Sequence, residues 1–223
     1  MPRLRPSKAP RPLFALAVIL AGAFSMQAAP IITPVGQANF RSLVFDSQFN
    51  VVSWTLTGSW TNVAIAASLT SGTAGRTGSA YLTNQIGAGT AIANQIATTG
   101  FTFAQVGNAF DVSYVSLFSG LTLGPGTYYL VLASANTVSD SGISGGSGVT
   151  YSTAPGVSVG PMQLSNLVNA GFPPASTGIS TSTVGNRFFS VTGDPVPEPS
   201  TVFLFGGGLL VFAALRFRSR RLG

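Results

Sequence analysis

Few side chains in this 223-residue sequence could perform acid–base or nucleophilic chemistry. His and Cys are absent, and the central part of the chain holds four aspartates, Asp46, Asp111, Asp140 and Asp194, each isolated in sequence. Glycoside hydrolysis generally needs two carboxylates that face each other across the bond, and the spacing pairs no two of these. A serine nucleophile needs a base, which neither His nor Lys supplies in that part. We therefore expect no catalytic residue and no enzymatic activity.

The same residue inventory argues against a metal or a cofactor. Zinc and haem sites are built mainly from His and Cys. A calcium loop needs closely spaced Asp and Asn, which no stretch of the sequence offers. Gly87-Ala88-Gly89 lacks the lysine that follows the glycines of a phosphate-binding loop, so we interpret it as an ordinary loop. We expect neither a metal site nor a bound cofactor.

Aromatic side chains are the remaining candidates for binding a ligand. An amphipathic ring can stack against a sugar while its polar edge stays in water. Trp54 and Trp60 could form such a platform on a sheet face. The alternative, favoured by the abundance of aromatic rings in the cores of β domains, is that both rings fill the core.

The net charge of +6 comes from the two ends of the chain rather than from its middle. Cations cluster before residue 12 and after residue 215, whereas residues 30–194 hold three arginines and four aspartates. A nucleic-acid groove needs several clustered cations to neutralise phosphates. We therefore predict that the protein does not bind nucleic acid.

Residues 1–29 have the layout of a secretory signal peptide. A basic zone precedes the uncharged, apolar run 13–24, and small residues follow it. The Ala-x-Ala spacing favours cleavage after Ala23, with Ala28 and Ala29 as alternatives. An apolar run of about 12 residues is short of the roughly 20 needed to span a bilayer, so we predict removal by signal peptidase rather than a permanent anchor.

The C-terminal part combines a proline-rich stretch, an apolar run and a basic end. Residues 194–200 contain three prolines and suit neither a helix nor a central strand, which predicts a stiff linker. Residues 201–215 are uncharged and mostly apolar, and such a segment in lipid must be helical. We predict a transmembrane helix and an Arg-rich cytoplasmic tail over residues 201–223, with the preceding domain outside the cytoplasm. The stop and orientation signal is the set of four terminal arginines, Arg216, Arg218, Arg220 and Arg221.

This tripartite tail resembles the PEP-CTERM sorting signal of Gram-negative bacteria. Pro197, Glu198 and Pro199 stand at the motif positions, and the apolar segment and the arginine cluster follow in the expected order. The resemblance covers residues 196–221. It implies temporary anchoring in the inner membrane and processing by exosortase, an integral-membrane cysteine protease. It also implies a link to exopolysaccharide or biofilm material.

The middle of the chain, residues 30–193, is rich in Ser, Thr, Gly, Val, Leu and aromatic residues, which favour strands and turns. Apolar residues alternate with smaller or polar ones over 63–69, as in a half-buried strand. Two β-rich runs around Gly124-Pro125-Gly126 predict a hairpin, and the Ser/Gly-rich segment 139–148 predicts a long loop. We expect an all-β ectodomain, an antiparallel β-sandwich of the jelly-roll type.

Three functions remain, in order of preference. The first is an exported, non-enzymatic protein of the cell surface or extracellular matrix, sorted and processed through its C-terminal signal. The second is a carbohydrate-binding module held by the same anchor, and the third is a hydrolase that acts on the matrix. The predicted partners are the inner membrane, signal peptidase, exosortase and exopolysaccharide.

Overall fold

A computed structural model describes residues 28–44, 48–108, 110–135, 137–166, 179–181 and 185–197. These residues comprise most of the predicted ectodomain and the first residues of the proline-rich stretch. Most of the predicted signal peptide (1–27), Asp46, and the predicted C-terminal helix with its arginine cluster (201–223) lie outside the described residues.

The described chain is built from strands joined by turns and loops. One short 3-10 turn, Ile92–Asn94, precedes β6, and the described residues contain no α-helix, so the all-β prediction is confirmed. In chain order the strands are β1 (Ala29–Val35), β2 (Phe40–Leu43), β3 (Gln48–Leu56), β4 (Trp60–Ser71), β5 (Thr77–Thr83), β6 (Gln95–Thr102), β7 (Ala104–Gln105), β8 (Tyr114–Leu123), β9 (Gly126–Ala133), β10 (Ser141–Gly146), β11 (Thr150–Thr153), β12 (Val157–Val159), β13 (Gln163–Asn166), β14 (Ile179–Thr181), β15 (Asn186–Arg187) and β16 (Phe189–Pro195).

These strands form two sheets. The nine-stranded sheet has the order β11–β1–β16–β4–β10–β15, with β7 and β8 also paired to β4 and β2 paired to β10. The seven-stranded sheet has the order β14–β13–β3–β9–β5–β6, with β12 also paired to β3. Within the described residues every ladder is antiparallel except the short one between β4 and β7.

The alternation predicted for residues 63–69 is present in β4. Val63, Ile65, Ala67 and Leu69 are all buried, whereas the intervening residues from Asn62 to Ala66 are exposed or half-buried. Successive side chains of a strand point to opposite faces, so this pattern turns one face of β4 to the core.

An aromatic column crosses from one sheet to the other. The ring centroids of Trp54 in β3 and Tyr128 in β9 lie 6.0 Å apart in a stacked pair. On its other side Trp54 lies 5.8 Å from Phe189 in β16, and Phe189 meets Tyr151 in β11 edge-on at 5.3 Å. Because β3 and β9 belong to one sheet and β11 and β16 to the other, the core lies between the sheets. The fold is therefore sandwich-like.

The predicted hairpin around Gly124-Pro125-Gly126 is wrong. β8 pairs with β4 in the nine-stranded sheet, whereas β9 pairs with β3 and β5 in the seven-stranded sheet. The turn therefore crosses between the sheets, and the Tyr128 hydroxyl donates a hydrogen bond of 2.8 Å to the Gly124 carbonyl oxygen at this crossing. Local turn residues fix where the chain bends, but the pairing of each strand depends on distant residues.

The predicted loop over residues 139–148 is also wrong, because it contains β10. Every residue of β10 is buried, and the strand lies against both β4 and β2. A Cβ atom on Gly142 would collide with the carbonyl oxygen of Ser42. Glycine here permits a close approach of neighbouring backbones within a sheet rather than forming a loop.

Candidate functional site

The last described strand, β16, lies inside a sheet rather than at its edge. It pairs with β1 on one side and with β4 on the other. Asp194 and Pro195, which the sequence places in the linker, belong to β16 and are opposite Thr61 and Trp60. Proline is accommodated because it is the final residue of the strand, where its missing N–H interrupts no continuing ladder.

The domain holds the backbone as far as Val196. The Val196 N–H donates a hydrogen bond of 2.9 Å to the carbonyl oxygen of Ser59, in the turn between β3 and β4. Pro197 follows and is exposed, while Glu198 and Pro199 lie outside the described residues. The Pro-Glu-Pro sequence thus begins one residue after the last backbone hydrogen bond that the described part gives the chain.

The side chain of Asn62 forms a hydrogen bond with the end of β16. Its Nδ2 donates a hydrogen bond of 2.7 Å to a carboxylate oxygen of Asp194. The Asn62 backbone has φ of +52°, in the left-handed region that Asn tolerates better than most residues. The ladder between β16 and β4 shifts register between Thr192 and Asp194, so Asn62 stabilises an irregular point close to the chain exit.

An open pocket of about 380 Å³ lies beside the exit of the chain. Its walls come from the β3–β4 turn, the first residue of β4, the β8–β9 crossing, the β11–β12 turn, and the last residue of β16 with the two residues after it. No side chain in the lining carries a charge. The lining residues are Thr57, Gly58, Ser59, Trp60, Pro125, Pro155, Pro195, Val196 and Pro197.

The two tryptophans considered for sugar stacking are both buried. Trp54 has no exposed surface and lies between Tyr128 and Phe189 in the aromatic column. A ring without an exposed face cannot stack on a sugar, so the stacking role considered for Trp54 is corrected to core packing. Trp60 is 8% exposed, and its small exposed part faces the exit pocket.

Most charged side chains of the described part lie at the opposite end of the sandwich, where β4 ends. Asp140 accepts hydrogen bonds of 2.6 Å from the Thr73 hydroxyl and 3.0 Å from the Ser141 hydroxyl, and it lies 3.3 Å from Nε of Arg76. The Thr73 hydrogen bond, supported by Ser141 and Arg76, lowers the pKa of Asp140. Arg41 donates to the Asp140 carbonyl oxygen at 2.9 Å. These contacts hold the β9–β10 loop, and a lowered pKa does not suit a general acid.

Sequence reasoning missed Ser59, Asn62 and Trp60 as the residues that hold the end of the domain. Their role depends on the register between β4 and β16, and Asn62 and Asp194 are 132 positions apart. No local pattern encodes a contact at that separation.

Comparison with known families identifies the segment that begins at the last residue of β16. A family model described as the PEP-CTERM protein-sorting motif matches residues 195–221. The chain carries a PEP-CTERM sorting motif. No curated protein matches the sequence.

The PEP-CTERM motif makes this an exported protein of the cell envelope, sorted by exosortase along a membrane-associated route. Of the matched residues, 195–197 are described, and they are the end of β16 and the two residues after it. The four arginines of the PEP-CTERM tail, Arg216, Arg218, Arg220 and Arg221, lie outside the described residues. Within the described part no helix is long and apolar enough to cross a bilayer.

Proposed function

We propose that this protein is a non-enzymatic component of the cell surface or extracellular matrix, displayed outside the cytoplasm and processed through its PEP-CTERM tail. In this proposal residues 1–29 act as a signal peptide that signal peptidase removes. Residues 201–215 then hold the chain temporarily in the inner membrane, and residues 216–221 remain in the cytoplasm. Exosortase processes the tail, and the sandwich is the part delivered.

The observation that carries this proposal is the continuity between the motif and the folded domain. The matched region begins at Pro195, the last residue of β16, which pairs with Trp60 of β4, and the Pro-Glu-Pro sequence starts one residue after the Val196 hydrogen bond. Exosortase therefore meets the motif at the boundary of a stable domain.

The described polar groups support a structural rather than a catalytic role. The carboxylates of Asp140 and Asp194 accept hydrogen bonds that fix a loop and a strand end. Trp54 and Trp60, the two residues considered for sugar stacking in a carbohydrate-binding module, are both buried. The proposed association with exopolysaccharide rests on the family resemblance of the tail.

The first test replaces Pro197, Glu198 and Pro199 together by Ala in the producing bacterium. Because exosortase reads these residues, we expect an unprocessed, longer species in the membrane fraction, measured by intact mass spectrometry. Pro161→Ala, at an exposed loop position outside the motif, is the matched control and should give the normal product. An identical mature mass for the triple variant and the parent would contradict the proposal.

The second test addresses the four terminal arginines. Replacement of all four by Ser should weaken retention in the inner membrane, since the basic cluster fixes the orientation of the tail. Replacement by Lys keeps the charge and should leave retention unchanged. Membrane fractionation that does not distinguish the Ser variant from the parent would refute the assigned orientation.

A further inference from the structure

The two ends of the described domain lie at the same end of the sandwich. Ala29, the first residue of β1, pairs with Gly193 in β16, two positions before the strand ends. Pro195 in turn pairs with Trp60 at the start of β4. The chain therefore enters and leaves the domain on adjacent strands, beside the exit pocket.

The tether between this end and the apolar segment is short. Four residues, 197–200, lie between Val196, which is hydrogen-bonded to Ser59, and Thr201, so five Cα–Cα steps join the two. A fully extended chain covers at most about 3.6 Å per residue, so the tether reaches about 18 Å. If residues 201–215 form a helix, it covers about 22 Å of a hydrocarbon core about 30 Å thick, and this deficit draws the tether towards the lipid. A headgroup layer of roughly 5–7 Å then takes up most of the remaining length.

The surface at this end suits a lipid interface. We call it the tail-exit face and define it by residues 57–60, 125, 155 and 195–197. None of these residues is charged, and the nearby carboxylate of Asp194 is engaged by Asn62. Proline, valine and the edge of a tryptophan dominate the surface, and Val196 is 41% exposed.

The opposite end of the sandwich is charged. Arg41 bonds to the Thr70 hydroxyl near the end of β4, and Arg76 and Asp140 pair beside it. With a rise of about 3.3 Å per residue, the length of β4 places this group about 35 Å from Trp60. Apart from Asp194, whose carboxylate is hydrogen-bonded by Asn62, the charged side chains of the described residues thus lie towards the other end of the sandwich.

From the short tether, the shared end and the absence of charge, we propose that the tail-exit face lies against the lipid headgroups of the outer leaflet while the tail is anchored. This inference rests on the proposed anchoring by residues 201–215. The domain stands upright on the bilayer, with the β9–β10 loop pointing away from it. The Pro-Glu-Pro sequence is consequently held at the depth of the headgroups, where a membrane-embedded protease can reach it.

The test uses the full chain in vesicles of phosphatidylethanolamine and phosphatidylglycerol that carry a nitroxide quencher on the headgroup. The sequence has no Cys, so a single introduced Cys places one fluorophore without further changes. Pro125→Cys and Pro155→Cys label the tail-exit face, and Val138→Cys, 47% exposed in the β9–β10 loop, is the control. We expect a several-fold larger loss of fluorescence at positions 125 and 155 than at 138.

A spacer variant tests the role of the short tether. Insertion of about ten Gly and Ser residues between Val196 and Pro197 gives a flexible connection and should relieve the quenching while vesicle flotation is unchanged. Equal quenching at all three positions, or none at 125 and 155 in chains that float, would overturn the proposed face and leave the anchor intact. Failure to float with the vesicles would overturn the anchor and the face together.

The protease itself is the other possible occupant of this face. If positions 125 and 155 are unquenched in pure lipid but become shielded from a soluble quencher when exosortase is added to the vesicles, the protease covers the face. That result would identify the enzyme, and not the lipid headgroups, as the partner of the tail-exit face, and it would overturn the proposal.

Discussion

Replacement of Trp54 by Ala should destabilise the domain strongly, because this ring connects the two sheets. The side chain is fully buried and contacts Tyr128 in one sheet and Phe189 in the other. Truncation of a buried tryptophan to alanine typically costs about 3–5 kcal/mol through lost burial and the cavity left behind. In a domain of this size each kcal/mol shifts the melting temperature by about 2–4 °C, so we expect a fall of about 6–20 °C.

The Trp54→Phe substitution should destabilise the domain much less than Trp54→Ala, and the reason lies in the indole nitrogen. Among the described residues Nε1 of Trp54 is buried and has no hydrogen-bond acceptor. A buried donor without a partner costs about 1–3 kcal/mol, so its removal offsets part of the lost ring area. We expect Trp54→Phe to cost less than about 2 kcal/mol, a fraction of the alanine cost.

Thermal unfolding of the purified chain, followed by near-ultraviolet circular dichroism, measures both variants. Tyr114→Ala is the matched control, because this ring is 46% exposed and its loss should change stability by less than about 1 kcal/mol. A melting temperature for Trp54→Ala within about 1 °C of the parent would refute the placement of Trp54 in the core. It would also reopen the sugar-stacking role.

The remaining predictions concern the edges of the core. Tyr151→Phe should cost about 1–3 kcal/mol in urea unfolding, because the Tyr151 hydroxyl donates to the Arg187 carbonyl oxygen at 2.7 Å and accepts from its N–H at 3.0 Å. Burial raises the pKa of Tyr151 to about 12, so the parent should lose stability as the pH rises from about 10 through 12. The Phe variant should lose less stability over this range, the remainder coming from Tyr114 and Tyr128, whose pKa values burial also raises, and identical alkaline profiles would contradict the assignment. Asn62→Gly keeps the left-handed backbone and loses only the Asp194 hydrogen bond, whereas Asn62→Val adds backbone strain, so the urea midpoint should fall further for Val.

The local part of the fold could be predicted from the sequence, and the pairing of strands could not. The alternation over residues 63–69 identifies β4, because a strand with one buried face has an apolar residue at every second position. Gly124-Pro125-Gly126 also locates a bend of the chain, but the two strands on either side enter different sheets. A turn constrains about four residues, whereas the choice of partner depends on contacts with β3, β4 and β5 elsewhere in the chain.

Composition is misleading where backbones approach closely. The glycines of β10 are typical of loops, yet Gly142 faces the Ser42 carbonyl at a separation that leaves no room for a side chain. The motif Pro197-Glu198-Pro199, in contrast, could be found from the sequence alone. A processing enzyme recognises a short linear sequence, so this signal is local. Its attachment to Trp60 and Asn62 through β16 needs the three-dimensional register.

The position of β16 also determines when the domain can finish folding. β1 is joined to the nine-stranded sheet through β16, because Ile32 in β1 pairs with Val191 in β16 and β16 lies between β1 and β4. The first strand of the domain therefore cannot take its place before the last strand is available. A chain that is synthesised or exported from its N-terminus can close this sheet only after residue 195 has emerged. Closure of the nine-stranded sheet is therefore a late step of folding, and contacts between residues so distant in sequence make it slow. Until β16 is in place, the edges of β1 and β4 that pair with it are open to pairing with another chain.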